Sequence, residues 1–261
     1  MNLKIYIANA FADNKFGGNP AAVVPLDKWL SETLMQQIAA QNNLAETAFI
    51  VPQDGDYAIR WFTPTVEVAL CGHATLASAH IFFNHLGYPK DQIRFHSKGG
   101  PLQVSRNAED KIMLDFPADQ LVPANDTDLV EKGLKIKPAE LYKSAFDYMA
   151  VLNDQDDIEK LSPDFGLLTK LPSRGLIVTS RGHEADFVSR CFFPQSGINE
   201  DPVTGSAHTA MVPYWAEKLG KSKLSAIQLS KRRGYLDCEL KKDRVLMSGH
   251  AFTYLVGEID I

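Results

Sequence analysis

Glu46 is the one charged side chain in Leu44-Ala-Glu-Thr-Ala-Phe-Ile-Val51, a run that otherwise reads as a buried strand. A carboxyl group at the mouth of an apolar strand is expected to keep its proton more readily than one in water, because desolvation disfavours the charged form. That is the property a general acid and base needs near neutral pH; the plain alternative is an edge-strand glutamate in water. Two further stretches place chemistry-bearing residues beside a glycine. One is Cys71-Gly-His-Ala-Thr-Leu-Ala77, the other Asp201-Pro-Val-Thr-Gly-Ser-Ala-His208. In each, a glycine (Gly72 or Gly205) opens an alanine-rich helix, with His73 and Ser206 at equivalent positions. Glycine lets the backbone come close to a ligand. The first N–H groups of a helix lack partners, and the helix dipole favours an anion beside them. Each helix start is therefore a candidate cradle for a carboxylate or an oxyanion, or else only the start of a well-packed helix. One glycine turn alone would say little; the repetition favours a site. Asn19, in Phe16-Gly-Gly-Asn-Pro20, either orients a ligand or stabilises the turn. Gly17-Gly18 is not a phosphate loop, since no Gly-Lys-Ser/Thr follows.

The two glycine stretches belong to a longer repeat. With Gly72 on Gly205, Ala74 falls on Ala207, Leu86-Gly87 on Leu219-Gly220, and Ser97-Lys98 on Ser230-Lys231. Upstream, after a small slip, Arg60-Trp-Phe-Thr-Pro64 falls on Arg190-Cys-Phe-Phe-Pro194. This reads as an internal duplication. The first half is 1–117, with the tail 251–261 a candidate to return to it. The second half is 118–250, and the Pro-, Asp- and Asn-rich run 117–128 reads as a linker.

Periodicity then supplies the elements. In the first half, strands are expected over 3–9, 21–24, 46–51, 57–62, 93–97, 101–106 and 111–116. Ser31 should cap a helix over 32–42, and a helix from His73 to His85 is apolar nearly all round, hence buried. In the second half, strands are expected near 147–152, 175–180, 186–193, 226–230, 234–240 and 244–248. A helix is expected near 156–161, and a buried one from Ser206 to Leu219 with a kink at Pro213. The architecture these imply is α+β: two pseudo-symmetric halves, each a mostly antiparallel, barrel-like sheet around a central buried helix. The site is expected in the cleft between the halves, where the helix N-termini would converge.

Composition narrows the function classes. The 261 residues are 45% hydrophobic with a net charge of −5, which suits a water-exposed globular chain whose halves can each bury a core. There is no basic patch, so nucleic acid is not an implied partner; Lys231-Arg-Arg233 reads as a solvated turn. No apolar run reaches membrane-spanning length, and the first residues read as a strand and not a signal peptide. The three cysteines, Cys71, Cys191 and Cys238, are widely spaced and odd in number. They suggest neither a disulfide framework nor a metal pair, and the cytoplasm is the expected location.

Asn19-Pro20 after glycines, Glu46 in Asn-Leu-Ala-Glu-Thr-Ala-Phe, Cys71-Gly-His-Ala-Thr-Leu-Ala and Glu200-Asp-Pro-Val-Thr-Gly-Ser-Ala together resemble the phenazine biosynthesis PhzF family. That family has the diaminopimelate epimerase-like fold, and the resemblance runs along nearly the whole chain. It implies an isomerase with no metal and no organic cofactor, acting on a small carboxylated molecule, cyclic or conjugated. The namesake shifts a proton on a dihydro-hydroxyanthranilate, which does not carry over automatically. Carried over residue by residue, the acid/base is Glu46, assisted by His73, Asp201 and Ser206. Backbone N–H groups near Gly72 and Gly205 hold the substrate, and a homodimer is an implied form.

The related epimerases use two opposed cysteines. Here Cys71 fills the first position and Thr204 the second, and a threonine hydroxyl is a far weaker acid than a thiol. The counterpart of Glu46 lies near Ser173-Arg174 and is not acidic, which favours one base over two. Cys71 then reads as a small buried residue. The rival readings are an amino-acid epimerase or racemase, a hydrolytic triad, a zinc site and a non-catalytic binding protein. The triad would join Asp201 and Ser206 to His73 or His208, but no Gly-x-Ser-x-Gly elbow supports it. The spacings Cys71-x-His73 and His80…His85 do not suit zinc.

Overall fold

In the computed structural model, which describes residues 1–125 and 127–261, strands and helices alternate along the whole chain. Asp126, inside the expected linker, lies outside the described residues. In chain order the elements begin with β1 (Asn2–Ala10), β2 (Asn19–Pro25), α1 (Glu32–Asn42), β3 (Glu46–Gln53), β4 (Asp56–Phe62), β5 (Glu67–Val68), α2 (Gly72–His85), β6 (Gln92–Ser97), β7 (Gly100–Arg106) and β8 (Ile112–Pro117). They continue with β9 (Val122–Pro123), α3 (Thr127–Leu134), β10 (Glu140–Lys143), β11 (Asp147–Val151), α4 (Gln155–Glu159), α5 (Phe165–Leu168), β12 (Gly175–Arg181), β13 (Phe187–Phe193) and a 3-10 turn at Pro194–Ser196. Last come β14 (Ile198–Asp201), α6 (Gly205–Leu219), β15 (Lys223–Gln228), β16 (Gly234–Lys241), β17 (Arg244–Gly249) and β18 (Ala251–Asp260). The chain divides into two compact units, Met1–Asp115 with Ser248–Ile261, and Phe116–Met247.

In the first unit, β1 pairs antiparallel with both β18 and β2, so the C-terminal strand returns to the N-terminal one. β2 runs parallel to β3, β3 antiparallel to β4, and β4 parallel to β6. β6, β7 and β8 form an antiparallel meander. One face of the sheet receives α2, which packs on β1, β2, β3 and β18 and is buried from His73 to Ala79 and from Ile81 to Phe83. The other face receives α1 through Met35, Ile38 and Ala39, packed with Val24, Phe49 and Phe62. A strand covered on both faces has no solvent side to be polar on, hence the unbroken apolar run Ala21–Val24 in β2. Ser31 caps α1 by accepting from the Leu34 N–H, and Asn43 closes it with φ 49°.

The second unit repeats the pairing order. β10 is antiparallel to β9 and β11, β11 parallel to β12, β12 antiparallel to β13, β13 parallel to β15, and β15 antiparallel to β16. Here α6 packs on β15 and β16. The outer face carries a core of Val130, Leu134, Ile158 and Leu168 from the short helices. One expectation needs correction. The run 117–128 is no free linker, since it holds β9 and the first residues of α3; the signal was weak because β9 is only a two-residue strand. The helix α6 runs through Pro213 to Leu219, the span expected. Proline cannot donate to the carbonyl four residues back, but that carbonyl, on Thr209, accepts from the Asp119 N–H at 3.0 Å instead. β10, β14, α3 and α5 were not foreseen; β10, β14 and α5 have four residues each, too few for periodicity to register. Among the described residues, no helix is long and apolar enough to cross a membrane.

Candidate functional site

The start of α2 brings four of the chemistry-bearing side chains together. Glu46 is the first residue of β3, and its Oε2 lies 3.0 Å from Nε2 of His73. The side chains are 13% and 6% exposed. The two atoms are close but out of line for a hydrogen bond, and each is buried with no hydrogen-bond partner. Buried polar atoms are rarely left so, and a carboxylate oxygen with spare acceptor capacity is what proton abstraction requires. On the other side of the ring, Asn19 Nδ2 lies 3.2 Å from Nδ1 and Cys71 Sγ 3.6 Å from it. Asn19 is wholly buried, with its amide against the His73 ring. Gly18 places it: at φ +66°, a Cβ there would sit 2.3 Å from the Ala10 carbonyl oxygen.

Burial pushes the Cys71 thiol up to about 11, and the Glu46 carboxylate adds to the shift. Complete burial, the largest influence on His73, lowers its proton affinity, and negative charge on Cys71 and then on Glu46 raises it. The Cys71 contribution requires a thiolate, so while that thiol keeps its proton the main influence raising His73 is gone and burial opposes charging the ring. Glu46, Cys71 and His73 lie close enough together to ligate one ion.

The start of α6 carries a different set. Thr204 Oγ1 donates to Asp201 Oδ2 at 2.6 Å, and its N–H donates to Gln228 Oε1 at 2.8 Å. Gln228 in turn donates to the Asp201 carbonyl at 2.8 Å. Ser206 Oγ accepts from Arg174 Nη2 at 3.1 Å. Arg174 is gripped in two-pronged fashion by the buried Asp147, with Nε to Oδ1 at 2.9 Å and Nη2 to Oδ2. His208 points inward, its Nδ1 donating to the Thr204 carbonyl at 2.9 Å, and burial lowers it to about 4. Ser206 thus meets an arginine where a hydrolytic triad needs a histidine. Strand register puts Gly175 opposite Asp147 as Glu46 lies opposite Ala21. The second-unit counterpart of Glu46 is then a glycine one step beyond Arg174, and the position has no acid.

Neither central helix has a side-chain cap: Cys71 at α2 and Thr204 at α6 make no capping bond. Threonine is a good capping residue, but here its hydroxyl is spent on Asp201. The first N–H groups of a helix have no partner within it, and without a side-chain cap the starts at Gly72-His73 and Gly205-Ser206 have the polarity that favours an anion. Each unit also fixes the hairpin before its glycine turn with an arginine–glutamate fork. Arg60 Nε and Nη2 donate to Glu67 at 2.7 Å each, and Arg190 Nε and Nη2 donate to Glu200 at 2.7 and 2.9 Å. Sequence reading singled out Glu46, His73, Asp201 and Ser206, and gave no part to Arg174, Asp147 and Gln228, which the fold brings against Ser206, Asp201 and Thr204. Gln228, a polar residue inside the apolar end of β15, was the one with a local signal.

A sequence model of the family described as Phenazine biosynthesis-like protein matches residues 8–257. An uncharacterized isomerase of Pseudomonas aeruginosa is 49% identical over 261 residues, covering 100% of this chain and 100% of its own. A crystal structure of a PhzF-family phenazine biosynthesis protein from Enterococcus faecalis aligns with a TM-score of 0.95 at 45% identity, over 100% of both chains. A predicted epimerase from Pseudomonas aeruginosa shares the fold, with a TM-score of 0.78 at 18% identity over 98% of this chain and 99% of that one.

Proposed function

The chain belongs to the phenazine biosynthesis-like protein family and is an isomerase, and from that premise we propose that it shifts a proton on a small carboxylated metabolite with Glu46 as its single acid and base. The observation that carries this reading is the approach of Glu46 Oε2 to His73 Nε2 at 3.0 Å with both atoms buried and neither in a hydrogen bond. Glu46 takes a proton from carbon next to an unsaturated or carbonyl-bearing centre and returns it to another carbon. His73 stands against the carboxylate and steadies its charge as the proton comes and goes. N–H groups at an uncapped helix start stabilise the negative charge that develops on the substrate, as donors aimed at a forming oxyanion do. In the second unit Ser206 and Asp201 are the polar groups offered to a ligand, with Arg174 donating to the Ser206 oxygen so that its own hydrogen can point outward.

One base is favoured over two. Thr204 gives its hydroxyl proton to Asp201, and the only thiol at a helix start, Cys71, keeps its proton. The test is solvent exchange. Wild-type protein and Glu46→Gln are incubated in heavy water with a panel of dihydroaromatic and amino-acid carboxylates and read by mass spectrometry. Label should enter a substrate with wild type, and about 10²-fold or more slowly with the variant. A variant that exchanges at the wild-type rate removes Glu46 from the role. Label appearing only on one stereocentre, with inversion, would favour an epimerase instead.

A further inference from the structure

We propose that Asn19 is a positioning residue: through Nδ1 of His73 it holds the ring in the tautomer that carries its proton on Nε2, facing Glu46. The inference rests on reading Glu46 as the acid and base. A neutral imidazole has one proton, and the partner of one ring nitrogen decides where it sits. The amide nitrogen of Asn19 can only donate, and it lies 3.2 Å from Nδ1. The Cys71 sulfur lies 3.6 Å from the same atom and, with its thiol protonated, can donate there as well. The donor-only amide nitrogen of Asn19 leaves Nδ1 to accept, so the ring proton belongs on Nε2, 3.0 Å from Glu46 Oε2.

Asn19 faces the ring from inside the protein. It is 0% exposed, so no ligand touches it. It starts β2, where its Cα partner is Ala10. The preceding Gly18 has a conformation and a clearance that only glycine meets. The Gly-Gly-Asn-Pro turn, whose role the sequence left open, thereby aims an amide at the underside of a histidine 54 residues away. The consequence for Glu46 is electrostatic. With the proton on Nε2, the ring turns the positive end of an N–H dipole toward the carboxylate. With the proton on Nδ1, a ring lone pair would face the carboxylate oxygen instead.

The test reads the ring directly and needs no substrate. Protein labelled with nitrogen-15 histidine is examined at neutral pH by long-range proton–nitrogen correlation, with the His73 signals identified by their loss in His73→Gln. Wild type should show a bare Nδ1 and a protonated Nε2. Asn19→Asp replaces the donor by an acceptor and should move a proton onto Nδ1. Asn19→Leu removes the donor and should give mixed tautomers, and it decides the matter if the aspartate variant fails to fold. A proton on Nδ1 in wild type, or a wild-type pattern in the folded variants, overturns the proposal. The expected pattern in a protein whose Glu46→Gln variant still exchanges label would leave Asn19 in place and remove the acid/base reading. Normal exchange with a proton on Nδ1 does the reverse.

Discussion

At the scale of single residues, the two starts of the repeat have been given different work. His73 and Ser206 occupy equivalent positions, yet one faces a carboxylate and the other an arginine. Cys71 is buried and keeps its proton, so two outcomes are expected. Iodoacetamide at pH 7.5 should leave Cys71 unmodified in the native protein, because the thiolate is the reactive form and this thiol lies near 11; rapid labelling, mapped by peptide mass spectrometry, would contradict the burial argument. Cys71→Ala should keep solvent exchange within about tenfold of wild type, since a weak S–H donor contributes about 1 kcal/mol or less. Glu46 and His73 were legible in the sequence because each stands out locally, a charge in an apolar strand and a histidine after a glycine. The link from Asn19 to His73 was not, because chemistry set by contact across 54 residues leaves no spacing to read.

At the scale of elements, each central helix is seated by what precedes it. The forks Arg60–Glu67 and Arg190–Glu200 fasten the hairpins that lead into the glycine turns. Arg190 also donates to the carbonyls of Ile158 and Leu161 at the end of α4, so four bonds depend on one guanidinium. Arg190→Met should cost about 3 kcal/mol, the scale for breaking one partner out of a largely buried pair. Urea unfolding measures it, and a loss under about 1 kcal/mol would mean the fork is ornamental. Two glycines make a sharper comparison. Gly18 and Gly87 both have positive φ, but an added Cβ at Gly87 meets nothing within 4 Å, whereas at Gly18 it strikes backbone. Gly87→Ala should cost about 1 kcal/mol from conformation alone. Gly18→Ala should cost roughly 1–3 kcal/mol more from overpacking, and equal unfolding midpoints would refute the steric account. The long elements were legible because apolar periodicity needs several turns or alternations to register. The strands β9 and β14 and the helices α3 and α5 were not, since their placement comes from partners distant in sequence.

At the scale of the whole molecule, acid should weaken both units. Each has a histidine on its central helix that burial lowers to about 4, His80 on α2 with help from the His85 charge, and His208 on α6. The unfolded chain takes up these protons near 6.5, the folded one only near 4. Between those values the unfolded state binds more protons, so stability rises with pH. It is fully present above about 6.5 and falls by up to about 1.4 kcal/mol per pH unit for each histidine on the way down. The slope at His80 is smaller because that ring is part-exposed. His208→Leu should flatten the dependence of the urea midpoint on pH between 4 and 6.5; an unchanged slope would assign the acid sensitivity elsewhere. The α+β architecture of two repeated units, each with a buried central helix among mostly antiparallel strands, was legible in the sequence. Repeated glycine turns, two nearly all-apolar helices and alternating strands determine it, because burial depends on composition and period. What the tertiary structure decided is how each polar side chain is used. Asn19 meets the His73 ring, Thr204 surrenders its cap to Asp201, and Ser206 receives Arg174. Hydrogen bonds and ion pairs act over about 3 Å between whatever atoms the fold brings together, and only the folded chain specifies which atoms those are.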